Sequence, residues 1–152
     1  MTRILIAEDQ EMVRGALISL LELEEDLEVV AQVGRGDEVV ITATRTNPDV
    51  ALLDIEMPGM SGLEALEQLA AVLPAVKILI LTTFGRPGYL RRAMEGGAAG
   101  FVLKDAPATE LASAIRRAMG GERVVDPLAS GNDRVSKNVQ QFYLPALLPL
   151  PA

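Results

Sequence analysis

Short apolar runs alternate with longer amphipathic segments along most of this chain. The apolar runs that we interpret as strands are Ile4–Ala7, Leu27–Val33, Val50–Leu53, Lys77–Thr82 and Ala99–Leu103. The apolar residues that recur at helical spacing between and after them are Val13, Leu17, Leu20 and Leu21, then Val39, Val40 and Ala43, then Leu63, Leu66, Ala70 and Leu73, and last Leu111, Ile115 and Met119. This alternation is typical of βαβ units that build a parallel sheet.

Most of the predicted strands are continuously apolar, as expected for strands that helices cover on both faces. The second carries acidic residues and Gln32, so we expect it at an edge. Right-handed crossovers with short connections then favour an α/β fold with a doubly wound five-stranded parallel sheet, flavodoxin-like (βα)5, in strand order 2-1-3-4-5. The fourth helix, roughly residues 88–95, is weakly apolar, and we expect it to be the most mobile helix.

Composition narrows the class of protein. The 152 residues are 49% hydrophobic, which is enough for one sizeable core. Twenty-one acidic against fourteen basic residues give a net charge of −7, so direct binding of nucleic acid by this chain is not expected. The absence of Cys and His excludes disulfides, typical zinc sites and His-based triads. No apolar run approaches the roughly 20 residues that span a bilayer, so we expect a cytoplasmic protein without membrane contact.

Polar side chains stand where four of the five predicted strands end. They are Glu8 and Asp9 after the first strand, Asp54 after the third, Thr82 and Thr83 at the end of the fourth, and Lys104 after the fifth. In a doubly wound sheet the carboxyl ends of these strands lie at one edge, where such sheets bind ligands. We therefore expect these groups to converge.

Carboxylates crowded at one edge repel one another and raise each other's pKa unless a cation lies among them, and Mg²⁺ prefers such hard oxygen ligands. A hydroxyl and an ammonium beside that metal suit the oxygens of a phosphoryl group. Asp54, on the middle strand, is then the candidate nucleophile that would form an aspartyl phosphate. A single acidic residue at a strand end is more simply a solvated loop residue or a helix cap, but that explanation does not account for three carboxylates, a hydroxyl and an ammonium that converge on one edge.

Two further features carry less information. Gly59 and Gly62 indicate a tight turn into the third helix, which an ordinary loop also explains. Phe101, inside the fifth strand, is equally well interpreted as a core aromatic or as a reporter of conformation.

Four segments resemble, in order and spacing, the receiver domain of bacterial two-component response regulators. They are residues 4–9 (ILIAED), 53–62 (LDIEMPGMSG), 81–83 (LTT) and 100–105 (GFVLKD). The resemblance covers about residues 1–125. It implies that Asp54 accepts a phosphoryl group from a phosphohistidine on a sensor histidine kinase. It also implies that Mg²⁺ is held by Asp9, Asp54 and the backbone carbonyl of Glu56, with Glu8 assisting.

The resemblance further implies a two-state switch. Thr82, with Thr83 beside it, and Lys104 would bind the phosphoryl oxygens; Thr82 would move toward them while Phe101 turns inward. New contacts to a dianionic group would order the loop after the fourth strand and shift the fourth helix. Such a protein is a regulatory phosphoacceptor rather than an enzyme, with Mg²⁺-dependent self-phosphorylation and slow autodephosphorylation.

Residues 121–127 (GERVVDP) resemble the linker of NarL/FixJ-type regulators, which carry a C-terminal helix-turn-helix. Residues 127–152 are too few for such a domain and lack its basic amphipathic pattern. We therefore expect a receiver domain in residues 1–125 and a linker and tail in 126–152, with DNA bound only through an output domain that is not in this sequence. A stand-alone receiver that acts through protein contacts is the alternative.

Helix five carries Arg116 and Arg117 beside its apolar stripe, with the acidic residues Glu22, Glu24 and Glu25 at the end of helix one as a complementary rim. These features predict homodimerisation on phosphorylation through the face that contains helix five.

Two other classes fit less well. A haloacid-dehalogenase-type phosphatase needs a second Asp two residues after the nucleophile, where this chain has Glu56. A flavodoxin-like cofactor protein needs a phosphate-binding loop after the first strand, where residues 8–11 (EDQE) would repel a phosphate.

Overall fold

The computed structural model describes residues 1–83 and 88–126. Its strands are β1 (Thr2–Ala7), β2 (Leu27–Val33), β3 (Val50–Asp54), β4 (Lys77–Thr82), β5 (Gly100–Leu103) and β6 (Val124–Val125). Its α-helices are α1 (Glu11–Leu21), α2 (Val39–Thr46), α3 (Gly62–Val72), α4 (Tyr89–Glu95) and α5 (Ala108–Met119), and a 3₁₀ turn (Gly36–Glu38) precedes α2. Strands and helices alternate from β1 to α5, as the hydrophobic pattern predicted.

The strands form one parallel sheet in the order β2-β1-β3-β4-β5-β6. The predicted order of the first five strands is confirmed, and β2 lies at an edge. The prediction of five strands is wrong by one, because Val124 and Val125 pair with Gly100 and Phe101 and extend the sheet beyond β5. A strand of two residues is too short to show a periodic pattern, so nothing in the sequence distinguished it from a linker.

Helices cover both faces of the sheet, and alternate strand residues point to opposite faces. In β1, Ile4 and Ile6 belong to the core cluster that includes residues of α1 and α5. Leu5 and Ala7 belong to the cluster that includes residues of α2, α3 and α4. All five residues of β3 are buried, which explains why the central strands read as continuously apolar.

Three helix ends have clear local causes in the sequence. Ser61 precedes α3, and its Oγ accepts a hydrogen bond of 3.2 Å from the backbone N–H of Glu64. Pro107 stands at the N-cap of α5, and Gly121, with a φ of +93°, follows the end of that helix. The sequence therefore locates the start of α3 and both ends of α5.

The outer residues of two helices depart from the prediction. Leu20 and Met119 lie in the last turns of α1 and α5 and are 45% and 40% exposed, while their neighbours Leu21 and Ala118 are buried.

Arg116 pairs within the chain: its guanidinium donates two hydrogen bonds, of 2.8 and 2.7 Å, to the Asp26 carboxylate. The intramolecular partner lowers the pKa of Asp26 to about 2. Arg116 is thus part of an α5-to-loop contact rather than a free border of an interface.

Helix α4 is more firmly packed than its weakly apolar sequence suggested. Leu90, Ala93 and Met94 are buried, and Arg92 Nε lies 3.3 Å from Glu67 Oε1 on α3. Within the described residues, none of the helices combines the length and apolar character that crossing a membrane requires.

Candidate functional site

The carboxyl ends of β1, β3, β4 and β5 meet at a cleft of about 420 Å³. The residues that line it are Asp9, Gln10, Asp54, Ile55, Glu56, Thr82, Thr83, Tyr89 and Lys104. Glu8 lies beside it, fully buried, and reaches Lys104. The structure thus brings the predicted strand-end groups to one place, while Phe101 lies deeper in β5.

Three carboxylates form the acidic part of the site. Glu8, Asp9 and Asp54 each offer an oxygen within 4.8 Å of the others. Glu8 is fully buried, Asp54 is 8% exposed and Asp9 is exposed. Two of the three charges are therefore withdrawn from water, which strengthens their mutual repulsion.

Lys104 provides the opposing charge. Its Nζ lies 2.7 Å from Glu8 Oε2 and 3.4 Å from Asp54 Oδ2. The shorter contact is a buried ion pair between the ammonium and the Glu8 carboxylate. One ammonium therefore faces two largely buried carboxylates, with Asp9 nearby.

Burial is the main cause that raises the pKa of Asp54 to about 7, and the charge of Glu8 adds to the shift while Lys104 opposes it. Burial alone would lower the pKa of Lys104, but Glu8 and Asp54 outweigh that effect and raise it. The expectation that crowding raises carboxyl pKa values holds for Asp54. Near neutral pH its carboxyl group is balanced between the protonated and ionised forms.

The backbone around Asp54 is tightly constrained. Asp54 Oδ1 accepts a hydrogen bond of 2.9 Å from the N–H of Ile55, which orients the carboxylate. A Cβ on Gly62 would lie 1.9 Å from the Asp54 carbonyl oxygen, so only glycine fits there. Gly59 has a φ of +82°, the left-handed region that favours glycine. Both glycines give the loop its geometry, as expected.

The donor set of this cluster fits a magnesium ion. Its oxygens are hard ligands of the kind that Mg²⁺ binds in proteins. Three carboxylates with one ammonium among them leave net negative charge that a divalent cation would offset.

The predicted switch residues lie at different depths. Thr82 is 6% exposed at the end of β4, and Thr83 is exposed on the wall of the cleft. Phe101 is fully buried in the core cluster on the side of α3 and α4. The aromatic ring therefore already occupies an inward position in this structure.

Four residues in or beside the cleft were not predicted from the sequence: Gln10, Ile55, Tyr89 and Arg14. Tyr89, the first residue of α4, lines the cleft. Arg14 on α1 donates a hydrogen bond of 2.7 Å from Nη1 to the Glu8 carbonyl oxygen, and one of 3.0 Å from Nε to Gln32. Arg14 follows an acidic loop by one helical turn, a spacing that could have identified it as a partner of that loop. Nothing local marked Tyr89, because its placement depends on how α4 packs.

The protein is thus of the doubly wound α/β class, with a carboxylate cluster and a lysine at the carboxyl edge of its sheet. The family model of the response regulator receiver domain matches residues 4–116. The chain belongs to the response regulator receiver family of two-component systems.

Curated relatives support this membership. The chain is 52% identical over 127 residues to the transcriptional regulatory protein DesR of Bacillus subtilis, covering 84% of this chain and 63% of DesR. It is 49% identical over 127 residues to YvfU of the same organism, an uncharacterised transcriptional regulatory protein, covering 84% of this chain and 64% of YvfU. The chain thus spans a little under two thirds of the length of these relatives.

Solved structures agree with the fold. A DNA-binding response regulator of the LuxR family from Staphylococcus aureus superposes with a TM-score of 0.75 at 39% identity, over 78% of this chain and 99% of that one. The receiver domain of the response regulator NarL from Mycobacterium tuberculosis superposes with a TM-score of 0.76 at 29% identity, over 80% and 98%.

The raised pKa of Asp54 predicts a pH-dependent stability difference between wild type and Asp54→Asn in metal-free buffer. The unfolded chain loses the Asp54 proton near pH 3.8, whereas the folded chain holds it to about pH 7. The folded state therefore binds more protons in this window, and the contribution of Asp54 to wild-type stability falls as pH rises through it. Asp54→Asn lacks this loss. Thermal melts with a chelator should show the variant gaining on wild type between pH 5 and pH 7.5; a constant or opposite difference contradicts the assignment.

Proposed function

We propose that this protein is a phosphorylation-dependent signalling switch in which Asp54 accepts the phosphoryl group. One observation carries the proposal: a largely buried Asp54 carboxylate lies in an open cleft between acidic side chains and Lys104, with the Thr82 hydroxyl group on the same wall. This arrangement supports a role for Asp54 as nucleophile, with cation ligands and phosphoryl-binding groups beside it. The family membership of the chain supports the same function.

The donor we propose is a phosphohistidine on a sensor histidine kinase. A bond forms between an Asp54 carboxylate oxygen and phosphorus, the bond from phosphorus to the imidazole nitrogen breaks, and the imidazole leaves with the electron pair. Asp54 must be ionised to attack, and its raised pKa shows that this costs free energy in the buried site. Lys104 lowers that cost, because its ammonium faces the carboxylate.

Glu8, Asp9, Asp54 and the backbone carbonyl of Glu56 are the groups we propose as holding Mg²⁺. The bound ion would supply positive charge where carboxylate and phosphoryl oxygens meet. The exposed position of Asp9 keeps the site open to solvent, while the burial of Glu8 fixes one charge in place.

Lys104, Thr82 and Thr83 are the groups we propose for the phosphoryl oxygens. An arriving phosphoryl group would compete with Glu8 for the Lys104 ammonium, since Lys104 Nζ now lies closer to Glu8 than to Asp54. A movement of Thr82 toward the new oxygens, with Phe101 turned inward, would shift α4. The Arg92–Glu67 contact gives α4 a defined position from which to shift.

We further propose that residues 1–125 are the receiver domain and that residues 126–152 are a linker and tail that are not part of the receiver core. The relatives named as transcriptional regulatory proteins favour control of transcription through a DNA-binding domain outside this sequence. The alternative is a stand-alone receiver that acts through protein contacts, which the net charge of −7 accommodates equally well. In both cases the domain is a regulatory phosphoacceptor whose own chemistry is limited to self-phosphorylation and slow autodephosphorylation.

Asp54→Asn should abolish phosphoryl uptake without unfolding the domain, because the amide is nearly isosteric but is not a competent nucleophile. Intact-mass analysis after incubation with acetyl phosphate and Mg²⁺ should show one hydroxylamine-labile phosphoryl group on wild type and none on the variant. The matched control is Asp49→Asn, because Asp49 precedes the amino end of β3. This variant should retain uptake. Uptake by Asp54→Asn would remove this residue from its role.

Mg²⁺ should raise the melting temperature of wild type, because a ligand that binds only the folded state stabilises it by mass action, by about 2.7 kcal/mol at a hundred times its Kd. Asp9→Ala should lose most of this gain, whereas Glu28→Ala, an exposed acid on β2, should keep it. Equal gains in Asp9→Ala and wild type would mean that the ion binds elsewhere.

A chain ending at Ala129 should still take up a phosphoryl group from acetyl phosphate, because the last strand of the described residues ends at Val125 and the proposed chemical groups precede residue 106. Residues 127–152 lie outside the described part of the chain. Loss of the cooperative melt or of uptake in the shortened chain would show that the domain boundary is misplaced.

Phosphorylation should promote homodimerisation through the face formed by α1 and α5. This face exposes Leu20 and Met119, whereas Leu111 and Ile115 are buried in the core. Sedimentation velocity with a phosphoryl analogue should show a dimer that Met119→Lys weakens. Val72→Lys, at an exposed apolar position on α3, should leave it intact. A monomer with and without the analogue contradicts this interface.

A further inference from the structure

We propose that Gly36 is a positioning residue for the metal site, because its backbone fixes the loop that carries Glu56. This inference rests on the proposed function and adds a residue from the opposite side of the loop. Gly36 begins the 3₁₀ turn between β2 and α2, outside the cleft, and contributes no side-chain donor.

Gly36 meets the loop backbone directly. Its N–H donates a hydrogen bond of 3.1 Å to the Pro58 carbonyl oxygen. A Cβ on Gly36 would lie 1.8 Å from the Met60 carbonyl oxygen and 2.6 Å from the Met60 carbonyl carbon. Gly36 is buried, so a side chain there could not turn toward solvent. The close approach of the two backbones therefore depends on glycine.

The neighbours of Gly36 complete the contact. Arg35 and Asp37 form an ion pair of 3.0 Å. This pair lies over Gly59: a Cβ there would come within 2.5 Å of Asp37 Oδ1 and 2.7 Å of Arg35 Nη2. The turn at residues 35–37 thus packs along the outer side of the loop at residues 58–60.

The inner side of the same loop is anchored to β3. The N–H of Gly62 donates a hydrogen bond of 2.7 Å to the Ile55 carbonyl oxygen, and Gly62 packs against the Asp54 backbone. Glu56, which lines the cleft, lies on the short segment between these two anchors. A displacement at Pro58 or Met60 would therefore move the backbone next to Glu56, because the segment between the two anchors is too short to absorb it.

The obstacle to a larger residue at position 36 is backbone, so it cannot be relieved by a rotamer change. Gly36→Ala must push residues 58–60 away from the turn. The structure predicts that this weakens Mg²⁺ binding without removing any carboxylate. Substitutions that disturb the orientation of a metal ligand from outside typically reduce metal affinity by about 10- to 100-fold.

The test compares Gly36→Ala with Gly15→Ala, a matched substitution in α1 that has no atom within 4 Å of the added Cβ. Isothermal titration with Mg²⁺ alone measures affinity, and initial rates of acetyl phosphate uptake across Mg²⁺ concentrations separate half-saturation from the plateau. Gly36→Ala should raise the Kd for Mg²⁺ by about tenfold or more, with uptake recovering toward the wild-type plateau at high Mg²⁺. Gly15→Ala should titrate like wild type.

An unchanged Mg²⁺ Kd in folded Gly36→Ala overturns the inference. A lowered uptake plateau with unchanged half-saturation also overturns it, because that pattern indicates a structural defect without a defect in metal binding. If wild type itself neither binds Mg²⁺ nor takes up phosphoryl, the proposed function fails and the inference falls with it. If Gly36→Ala lacks a cooperative melt, Asp37→Ala replaces it, because this change loosens the same contact without adding bulk. Asp37→Ala should raise the Mg²⁺ Kd, and an unchanged value overturns the proposal.

Discussion

The burial of two carboxylates against one ammonium is the constraint on which the site depends. Glu8 and Asp54 are buried away from water at the carboxyl edge of the sheet, and Lys104 neutralises only part of their charge. Burial, and after it the charge of Glu8, raises the pKa of Asp54 to about 7 against the opposing effect of Lys104. A fold that keeps such a cluster gives up some stability in the absence of a cation. That cost is expected where the cluster serves to bind ligands.

Topology explains why one small domain can hold this cluster. The parallel strands β1 and β3 end in acidic side chains, β4 ends in a hydroxyl and β5 is followed by an amine, and these groups lie at adjacent positions along one edge. The strands are covered on both faces, so their ends are fixed by two hydrophobic cores rather than by loops. The connecting loop after β3 is the part that needs further support, which glycines at positions 59 and 62 and the turn at Gly36 supply.

Much of this arrangement is readable from the sequence, because buried parallel strands leave apolar runs and their ends leave polar residues. The strand order and the acidic cluster follow from Ile4–Ala7, Val50–Leu53 and the residues after them. The sequence does not reveal β6, whose two residues are too few for a period, nor Tyr89, whose place in the cleft depends on the packing of α4. It also does not reveal that Arg116 forms an ion pair with Asp26, because a bidentate contact between distant segments has no local signature.

Everything proposed for this site depends on Asp54 being the residue that carries the phosphoryl group. Borohydride reduces an acyl phosphate and converts an aspartyl phosphate to homoserine, so peptide mass spectrometry after phosphorylation and reduction locates the modified residue. We expect homoserine at position 54, formed only when both the phosphoryl donor and Mg²⁺ are present. Homoserine at another acidic residue, or its formation at position 54 without Mg²⁺, would contradict it.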